Sequence, residues 1–143
     1  DRLVHVDYKD RSNIKVMLAD DSALIRRLLK DTLTKAGFRN LRIFDDGQQA
    51  LDYLNQLKDQ KGENFRENVQ LLITDIEMPR MDGLTLTRKI KEDPILQKLP
   101  VIVFSSLITD ELRHKGESVG ANAQLSKPEV EGLVETIDNL LNN

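Results

Sequence analysis

Short aliphatic segments recur along the chain at intervals long enough to hold a helix between them. Residues 14–19, "IKVMLA", are mostly apolar and are followed by two acids, which is typical of a parallel strand that is buried on both faces. Four later segments share this short, apolar character. The predicted strands are 14–19, 41–44, 69–74, 101–104 and 122–125.

Segments with helical periodicity separate these strands. Apolar residues recur with helical spacing between "DDS" and Gly37, and the last segment carries the clearest apolar stripe, from Val130 to Leu141. The charged stretch 58–68 has no periodicity and is predicted to be a surface loop. Five alternations of strand and helix favour an α/β fold, an open parallel sheet with helices on both faces. The predicted helices are about 23–36, 47–57, 84–93, 110–119 and 130–141.

Length and charge narrow the classes of partner. The chain has 143 residues, enough for one domain with a sizeable core. Its polar segment 1–12 is expected to be a linker or the tail of a missing upstream domain, and 13–143 the folded domain. A net charge of -3 argues against a nucleic-acid partner, which would need clustered cations. No apolar run approaches the roughly 20 residues of a membrane span, so we expect no membrane insertion and a cytoplasmic location.

Polar side chains with possible chemistry follow four of the predicted strands. Asp20 and Asp21 follow the first strand, Asp75 the third, Ser105 the fourth and Lys127 the fifth. In an open parallel sheet, ligands bind outside the carboxyl ends of the strands. Carboxylates leaving strands roughly 4.8 Å apart repel one another unless a cation lies between them. Because the sequence has no cysteine, Mg²⁺ with oxygen ligands suits the three aspartates better than zinc.

Each of these residues also has a simpler interpretation. Asp21 and Ser22 could cap the first helix, where short oxygen-bearing side chains accept bonds from free amides. Asp75 could be a solubilising residue at a strand end, and Ser105 could bond locally to the backbone. Lys127 alone would be a solvated surface charge. The combination favours a site, because an acid pair, a third acid, a hydroxyl and a lysine end four different strands.

Four sequence motifs resemble the receiver domains of bacterial response regulators. They are "VMLADDS", "LLITDIEMPRMDG", "VIVFSS" and "LSKPE", each following a strand in the order and spacing of that family, and the resemblance covers about residues 13–142. It implies a flavodoxin-like (βα)5 three-layer sandwich. The implied sheet has five parallel strands in the order 2-1-3-4-5, with the ligand site between strands 1 and 3.

The resemblance also implies roles for the residues at this edge. Asp75 would be the phosphoacceptor, attacking the phosphoryl group of a histidine kinase phosphohistidine. Lys127 would pair with one phosphoryl oxygen and Ser105 would hydrogen-bond another. Such a domain is a signalling module, and the only chemistry expected of it is self-catalysed phosphotransfer and autodephosphorylation.

A magnesium ion belongs to the same implied site. The carboxylates of Asp20, Asp21 and Asp75 would hold Mg²⁺ together with the backbone carbonyl of Glu77. The Glu77 side chain has two interpretations. It is either a solvated loop acid, or a charge near the path of the water that hydrolyses the aspartyl phosphate.

Among receivers, the chain is similar to the C-terminal receiver of CheV chemotaxis proteins. The similarity lies in "DIEMPRMDGLTLTRKIKEDP" and "VGANAQLSKPE". It implies a CheA-like histidine kinase as partner, and contact with the chemoreceptor signalling complex through a CheW-like domain. One position departs from the receiver pattern, because Gln124 stands where most receivers have an aromatic residue that takes part in switching.

Two rival functions remain open at this point. The first is a receiver-fold interaction module that is not phosphorylated, which the departure at Gln124 favours. The second is a magnesium phosphatase of the haloacid dehalogenase type, whose signature is a DxD after the first strand. The sequence has adjacent "DD" there and its best nucleophile after the third strand, which argues against the phosphatase.

Overall fold

A computed structural model of the chain describes residues 11–106, 109–126 and 130–142. Within these ranges a five-stranded sheet has the order β2-β1-β3-β4-β5, with every neighbouring pair parallel. This confirms the predicted fold class and strand order. The strands are β1 Lys15–Ala19, β2 Asn40–Phe44, β3 Leu71–Thr74, β4 Val101–Ser105 and β5 Ala123–Ser126. The helices are α1 Ala23–Lys35, α2 Gly47–Lys61, α3 Gly83–Glu92, α4 Asp110–Ser118 and α5 Val130–Asn142.

The sheet separates two apolar cores. Alternate residues of a strand point to opposite faces, so Met17 packs with residues of α2 and α3, whereas Val16 and Leu18 pack with residues of α1 and α5. Every residue of β3 and β4 is buried, as expected for strands covered on both faces. The two cores fix the sheet rigidly, and with it the side chains that follow the strand ends.

The edge strand β2 and helix α1 are more exposed than the sequence indicated. Asn40–Phe44 has no fully buried residue, because β2 pairs only with β1. Ile43 of β2 and Leu28 of α1 are each 37% exposed, although Leu28 lies on the predicted apolar face of its helix. None of the described helices combines the length and apolar composition that crossing a membrane requires.

The prediction of a surface loop at 58–68 is wrong. Helix α2 continues to Lys61, and a short 3₁₀ helix, Gly62–Glu67, follows directly. The cause is Phe65, which is fully buried in the core on the α2 side of the sheet. One aromatic side chain is enough to dock this charged segment, and a single apolar residue gives no periodic signal.

An ion pair between α2 and the residue after α3 is expected to make stability depend on pH. Lys58 Nζ lies 2.7 Å from the Asp93 carboxylate, which also accepts the N–H groups of Ile95 at 2.8 Å and Leu96 at 3.0 Å. Burial tends to raise the pKa of Asp93, but the Lys58 bond and the two backbone N–H groups outweigh it and hold that pKa below its usual 3.8. The resulting stabilisation is complete above pH 3.8 and is lost as pH falls through the lower, folded-state value.

The Asp93→Asn variant should therefore lower the free energy of unfolding by roughly 1 to 3 kcal/mol at neutral pH. The difference from the unmodified protein should shrink as pH falls below about 4. Urea unfolding at several pH values measures it. Glu92→Gln is the matched control, because Glu92 pairs with Arg88 at 3.8 Å on an exposed helix face and should contribute little. A difference for Asp93→Asn that stays constant with pH would contradict the assignment.

Candidate functional site

Three aspartates converge at the carboxyl ends of β1 and β3. The Asp75 N–H donates to the Ala19 carbonyl at 2.9 Å, which continues the β1–β3 hydrogen-bond ladder by one residue. Asp20 N–H donates to the Phe44 carbonyl of β2 at 3.1 Å. As a result, one carboxylate oxygen from each of Asp20, Asp21 and Asp75 lies within 4.8 Å of the others. The structure thus brings together the three acids that the sequence predicted to meet.

The three carboxylates differ in their contact with solvent. Asp20 is 1% exposed and Asp75 is 9% exposed, while Asp21 is exposed. Packing charges of one sign in a partly dry cleft is unfavourable without a cation, and carboxylate oxygens are the ligands of hard divalent ions. The donor set fits Mg²⁺: three oxygen ligands converge, and one side of the cluster faces water.

Local hydrogen bonds orient the two buried carboxylates. Asp20 Oδ1 accepts the N–H of Ser22 at 2.9 Å, and Asp75 Oδ1 accepts the N–H of Ile76 at 2.7 Å. Ser22, and not Asp21, is the N-cap of α1, accepting the Ile25 N–H at 3.3 Å. Asp21 is therefore not needed as a cap, which removes the simpler interpretation of that residue.

The loop between β3 and α3 is held close to the site by two glycines. The Gly83 N–H donates to the Ile76 carbonyl at 2.7 Å, and a Cβ at position 83 would lie 1.7 Å from the Asp75 carbonyl oxygen. At the other side of the loop, a Cβ at Gly47 would lie 2.4 Å from the Met81 carbonyl oxygen. Backbone approaches this close are possible only where no side chain intervenes.

An ion pair that the sequence analysis missed fixes the tip of the same loop. Arg80 has a φ of 68°, an uncommon backbone conformation for a residue other than glycine. Its Nη2 lies 3.0 Å from Oδ2 of Asp46, which is 2% exposed and caps α2 through the Gln49 N–H. No sequence pattern marks this arginine for the left-handed region, and its partner Asp46 lies far from it in the chain.

A cavity of about 390 Å³ adjoins the aspartate cluster and shares Asp21 with it. Arg26 bridges the two regions, because its Nη1 donates to the Asp20 carbonyl at 2.7 Å. The opening is therefore polar and carries both charge signs, with three carboxylates and two guanidinium groups. The cavity is lined by Asp21, Arg26, Asp45, Asp46, Pro79 and Arg80.

Of the remaining predicted site residues, the structure describes Ser105 and Glu77 but not Lys127. Ser105 is the last residue of β4, is 6% exposed, and lies opposite Ser126 in the β4–β5 register. It therefore belongs to the same edge of the sheet as Asp75. Glu77 is exposed on the loop after β3. Lys127 lies outside the described residues, so its position relative to Asp75 stays a prediction.

Comparison with known proteins agrees with this geometry. Residues 16–138 match the family model described as "Response regulator receiver domain". The chemotaxis protein CheV3 of Helicobacter pylori is 34% identical over 134 residues, which cover 94% of this chain and 43% of that protein. Chemotaxis protein CheY-3 of Vibrio cholerae is 32% identical over 116 residues, covering 81% of this chain and 82% of the relative. The chain thus spans less than half the length of the CheV3 relative.

Solved structures show the same architecture. The chemotaxis response regulator CheY4 of Vibrio cholerae aligns with a TM-score of 0.71 and 28% identity, over 89% of this chain and 98% of that chain. The signal receiver domain of a signal transduction histidine kinase from Syntrophus aciditrophicus aligns with a TM-score of 0.75 and 26% identity, over 90% of this chain and 89% of that chain.

Proposed function

This chain belongs to the receiver domains of response regulators, and from that premise we propose that it accepts a phosphoryl group on Asp75 and signals through a change of conformation. The observation that carries the proposal is the convergence of Asp20, Asp21 and Asp75, with ligand oxygens within 4.8 Å of one another. A lone strand-end aspartate would be ordinary. An aspartate fixed beside two others, at the edge where parallel sheets bind ligands, is equipped for reaction with a phosphoryl group.

Asp75 acts as a nucleophile in this proposal. Its carboxylate oxygen forms a bond to phosphorus while the bond from phosphorus to the donor histidine nitrogen breaks, and that nitrogen keeps the electron pair. The Ile76 N–H holds Oδ1 of Asp75, so the orientation of the attacking group is set before the donor arrives. Asp75 is only 9% exposed as a residue, so a donor must approach it from the open side of the cluster.

Asp20, Asp21 and Asp75 would hold Mg²⁺ in this proposal, with the backbone carbonyl of Glu77 as a further ligand. The bound ion would offset negative charge on the carboxylate and on the phosphoryl oxygens. The support for this assignment is the all-oxygen donor set of the three clustered aspartates and the absence of cysteine from the sequence. Exposed Asp21 is the ligand that an entering ion would meet first.

Two other residues complete the proposed machinery. Lys127 would pair with a phosphoryl oxygen as a compact positive charge, and Ser105 would donate its hydroxyl proton to another. The burial of Ser105 at the end of β4 supports a role inside the site. Phosphorylation adds roughly -1.5 to -2 charge, and it shifts the conformational equilibrium only as far as these contacts differ between two states.

The setting we propose is a CheV-type chemotaxis protein in the cytoplasm, with a CheA-like histidine kinase as donor. The 34% identity with Helicobacter pylori CheV3, over an alignment that covers 94% of this chain, supports this setting. The similarity to CheY-3 of Vibrio cholerae also supports it. A CheW-like domain would then link this receiver to the chemoreceptor complex. The full-length coding sequence tests the setting, because a DNA-binding domain in place of a CheW-like domain would contradict it.

Incubation with acetyl phosphate and Mg²⁺, followed by intact mass measurement, tests the function itself. The expected result is a mass increase of one phosphoryl group, as the phosphorus–oxygen bond of acetyl phosphate breaks and acetate leaves. Chelating the metal with EDTA should suppress the gain, because the three carboxylates then repel the incoming anion. A protein that gains no mass with Mg²⁺ present would instead be the interaction module that is not phosphorylated.

A further inference from the structure

Helix α4 is attached to the sheet by very little apolar surface. Its only buried residue is Gly116, and the two apolar cores, as far as the described residues form them, contain no residue of α4. Helix α5, by contrast, buries Leu133 and Ile137 in the core on its side of the sheet. Since apolar burial is the main source of helix attachment, something else must determine where α4 lies.

The carboxamide of Gln124 supplies a direct contact between β5 and α4. Gln124 lies in β5, opposite Val103 of β4. Its Nε2 donates to the Arg113 carbonyl in α4 at 2.9 Å. The amide also fills the space beside Gly116, where a Cβ would come within 2.3 Å of Oε1 and 2.7 Å of Nε2. The glycine in α4 and the glutamine in β5 are thus fitted to each other.

Of the two polar ends of the Gln124 amide, only Nε2 makes a hydrogen bond within the described residues. Gln124 Oε1 is buried, and no group of the described residues donates a hydrogen bond to it. Exchanging the two ends of the amide would bring the oxygen against the Arg113 carbonyl, so the observed orientation is the better one. A buried acceptor without a donor is unfavourable, and displacement of α4 would give it access to water. When α4 lies against β5, it therefore gains the hydrogen bond from Gln124 Nε2, but Gln124 Oε1 loses its contact with water.

We propose that Gln124 is a positioning residue that holds α4 against β5, and that its unsatisfied oxygen keeps the attachment weak enough for α4 to exchange between attached and displaced positions. The position of α4 then depends on the polar contact with Gln124, which attaches the helix less strongly than a buried apolar side chain would. In its link to signalling this inference rests on the proposed function, because phosphorylation of Asp75 would bias the two positions. The contact itself is a property of the unphosphorylated protein.

Amide hydrogen exchange of the unphosphorylated protein tests the contact. In Gln124→Ala the amides of α4 should exchange about two- to fivefold faster, because the loss of the hydrogen bond and of the packing beside Gly116 outweighs the removal of one unsatisfied oxygen. Exchange in α1 should stay unchanged, because the loss is local. Gln97→Ala is the matched control: Gln97 also donates from Nε2 to a backbone carbonyl, that of Pro94, but away from α4. Equal acceleration throughout the protein, or none in α4, would overturn the proposal.

A double-mutant cycle separates a direct contact from general loosening. Gly116→Ala alone should accelerate exchange in α4, since its methyl group collides with the Gln124 amide. In the double variant with Gln124→Ala, the methyl group occupies the vacated space, and exchange should return to within about twofold of the unmodified protein. If the accelerations of α4 exchange by the two single substitutions simply multiply in the double variant, the two residues act independently, which would overturn the proposed contact.

Repeating the exchange measurement after treatment with acetyl phosphate and Mg²⁺ addresses the link to signalling. Phosphorylated protein should change its α4 exchange, and Gln124→Ala should reduce that change. A mass gain at Asp75 without any effect on α4 exchange would overturn the link but leave the phosphoacceptor function standing. If no mass is gained, the function fails, while the measurements on unphosphorylated protein still decide the role of Gln124.

Discussion

Replacing Asp75 by asparagine is expected to abolish phosphorylation by acetyl phosphate while leaving the fold intact. The amide has the shape of the carboxylate but lacks its charge and its nucleophilic oxygen, so the bond to phosphorus cannot form. The Ile76 N–H can still donate to the side-chain oxygen of an asparagine, so local geometry should be kept. Intact mass should show no phosphoryl adduct, and thermal unfolding should stay cooperative.

The matched control for this variant is Asp45→Asn. Asp45 is an exposed acid that lines the cavity adjoining the cluster, but it is not one of the three clustered aspartates. The Asp45→Asn variant should therefore gain the mass of one phosphoryl group, as the unmodified protein does. Digestion and peptide mass measurement should place the adduct on the peptide that contains Asp75. An undiminished gain in Asp75→Asn, or an adduct on Asp20 or Asp21, would contradict the assignment of the nucleophile.

The sequence predicts the architecture well because the signals for it are local and repeated. Four-to-six-residue aliphatic segments between amphipathic ones lead to a parallel sheet, and parallel strands place all their carboxyl ends at one edge. The meeting of Asp20, Asp21 and Asp75 follows from that rule, and the resemblance to receivers supplied the strand order. The prediction needed no side-chain detail.

Features that depend on one contact between distant residues escaped the sequence analysis. Phe65 anchors a segment that the sequence analysis predicted to be a loop. The prediction failed because a single buried aromatic residue produces no periodic pattern. Arg80 adopts a positive φ beside Asp46, and nothing in its neighbours in sequence indicates this. The fit of Gln124 to Gly116 is of the same kind, since neither residue alone predicts the other. Tertiary contacts decide these positions, and local patterns do not encode them.

Gly83→Ala is expected to be the most damaging single methyl addition near the site. The new Cβ would lie 1.7 Å from the Asp75 carbonyl oxygen and 2.8 Å from its carbonyl carbon. Both are backbone atoms at the end of β3, so no side-chain rotation can relieve the collision. Either α3 or the Asp75 backbone must move, and overpacking of this kind lowers the free energy of unfolding by about 3 kcal/mol or more.

The same displacement should disturb the chemistry, because the Asp75 backbone carries the nucleophile and Gly83 N–H bonds the next carbonyl, that of Ile76. We expect slower phosphorylation by acetyl phosphate even at temperatures where the variant is folded, since small misplacement of a reacting group lowers its rate strongly. Urea unfolding measures the stability, and the time course of the mass gain measures the rate.

Gly132→Ala provides the matched comparison, because it adds the same methyl group to the first turn of another helix, α5, where no other element among the described residues comes within 4 Å of the new Cβ. This variant should be as stable as the unmodified protein or gain up to about 1 kcal/mol from the better helix propensity of alanine. Similar losses in both variants would mean that the collision with the Asp75 backbone is not the cause of the loss. A loss confined to Gly83→Ala would show that the close approach of α3 to β3 holds Asp75 in place.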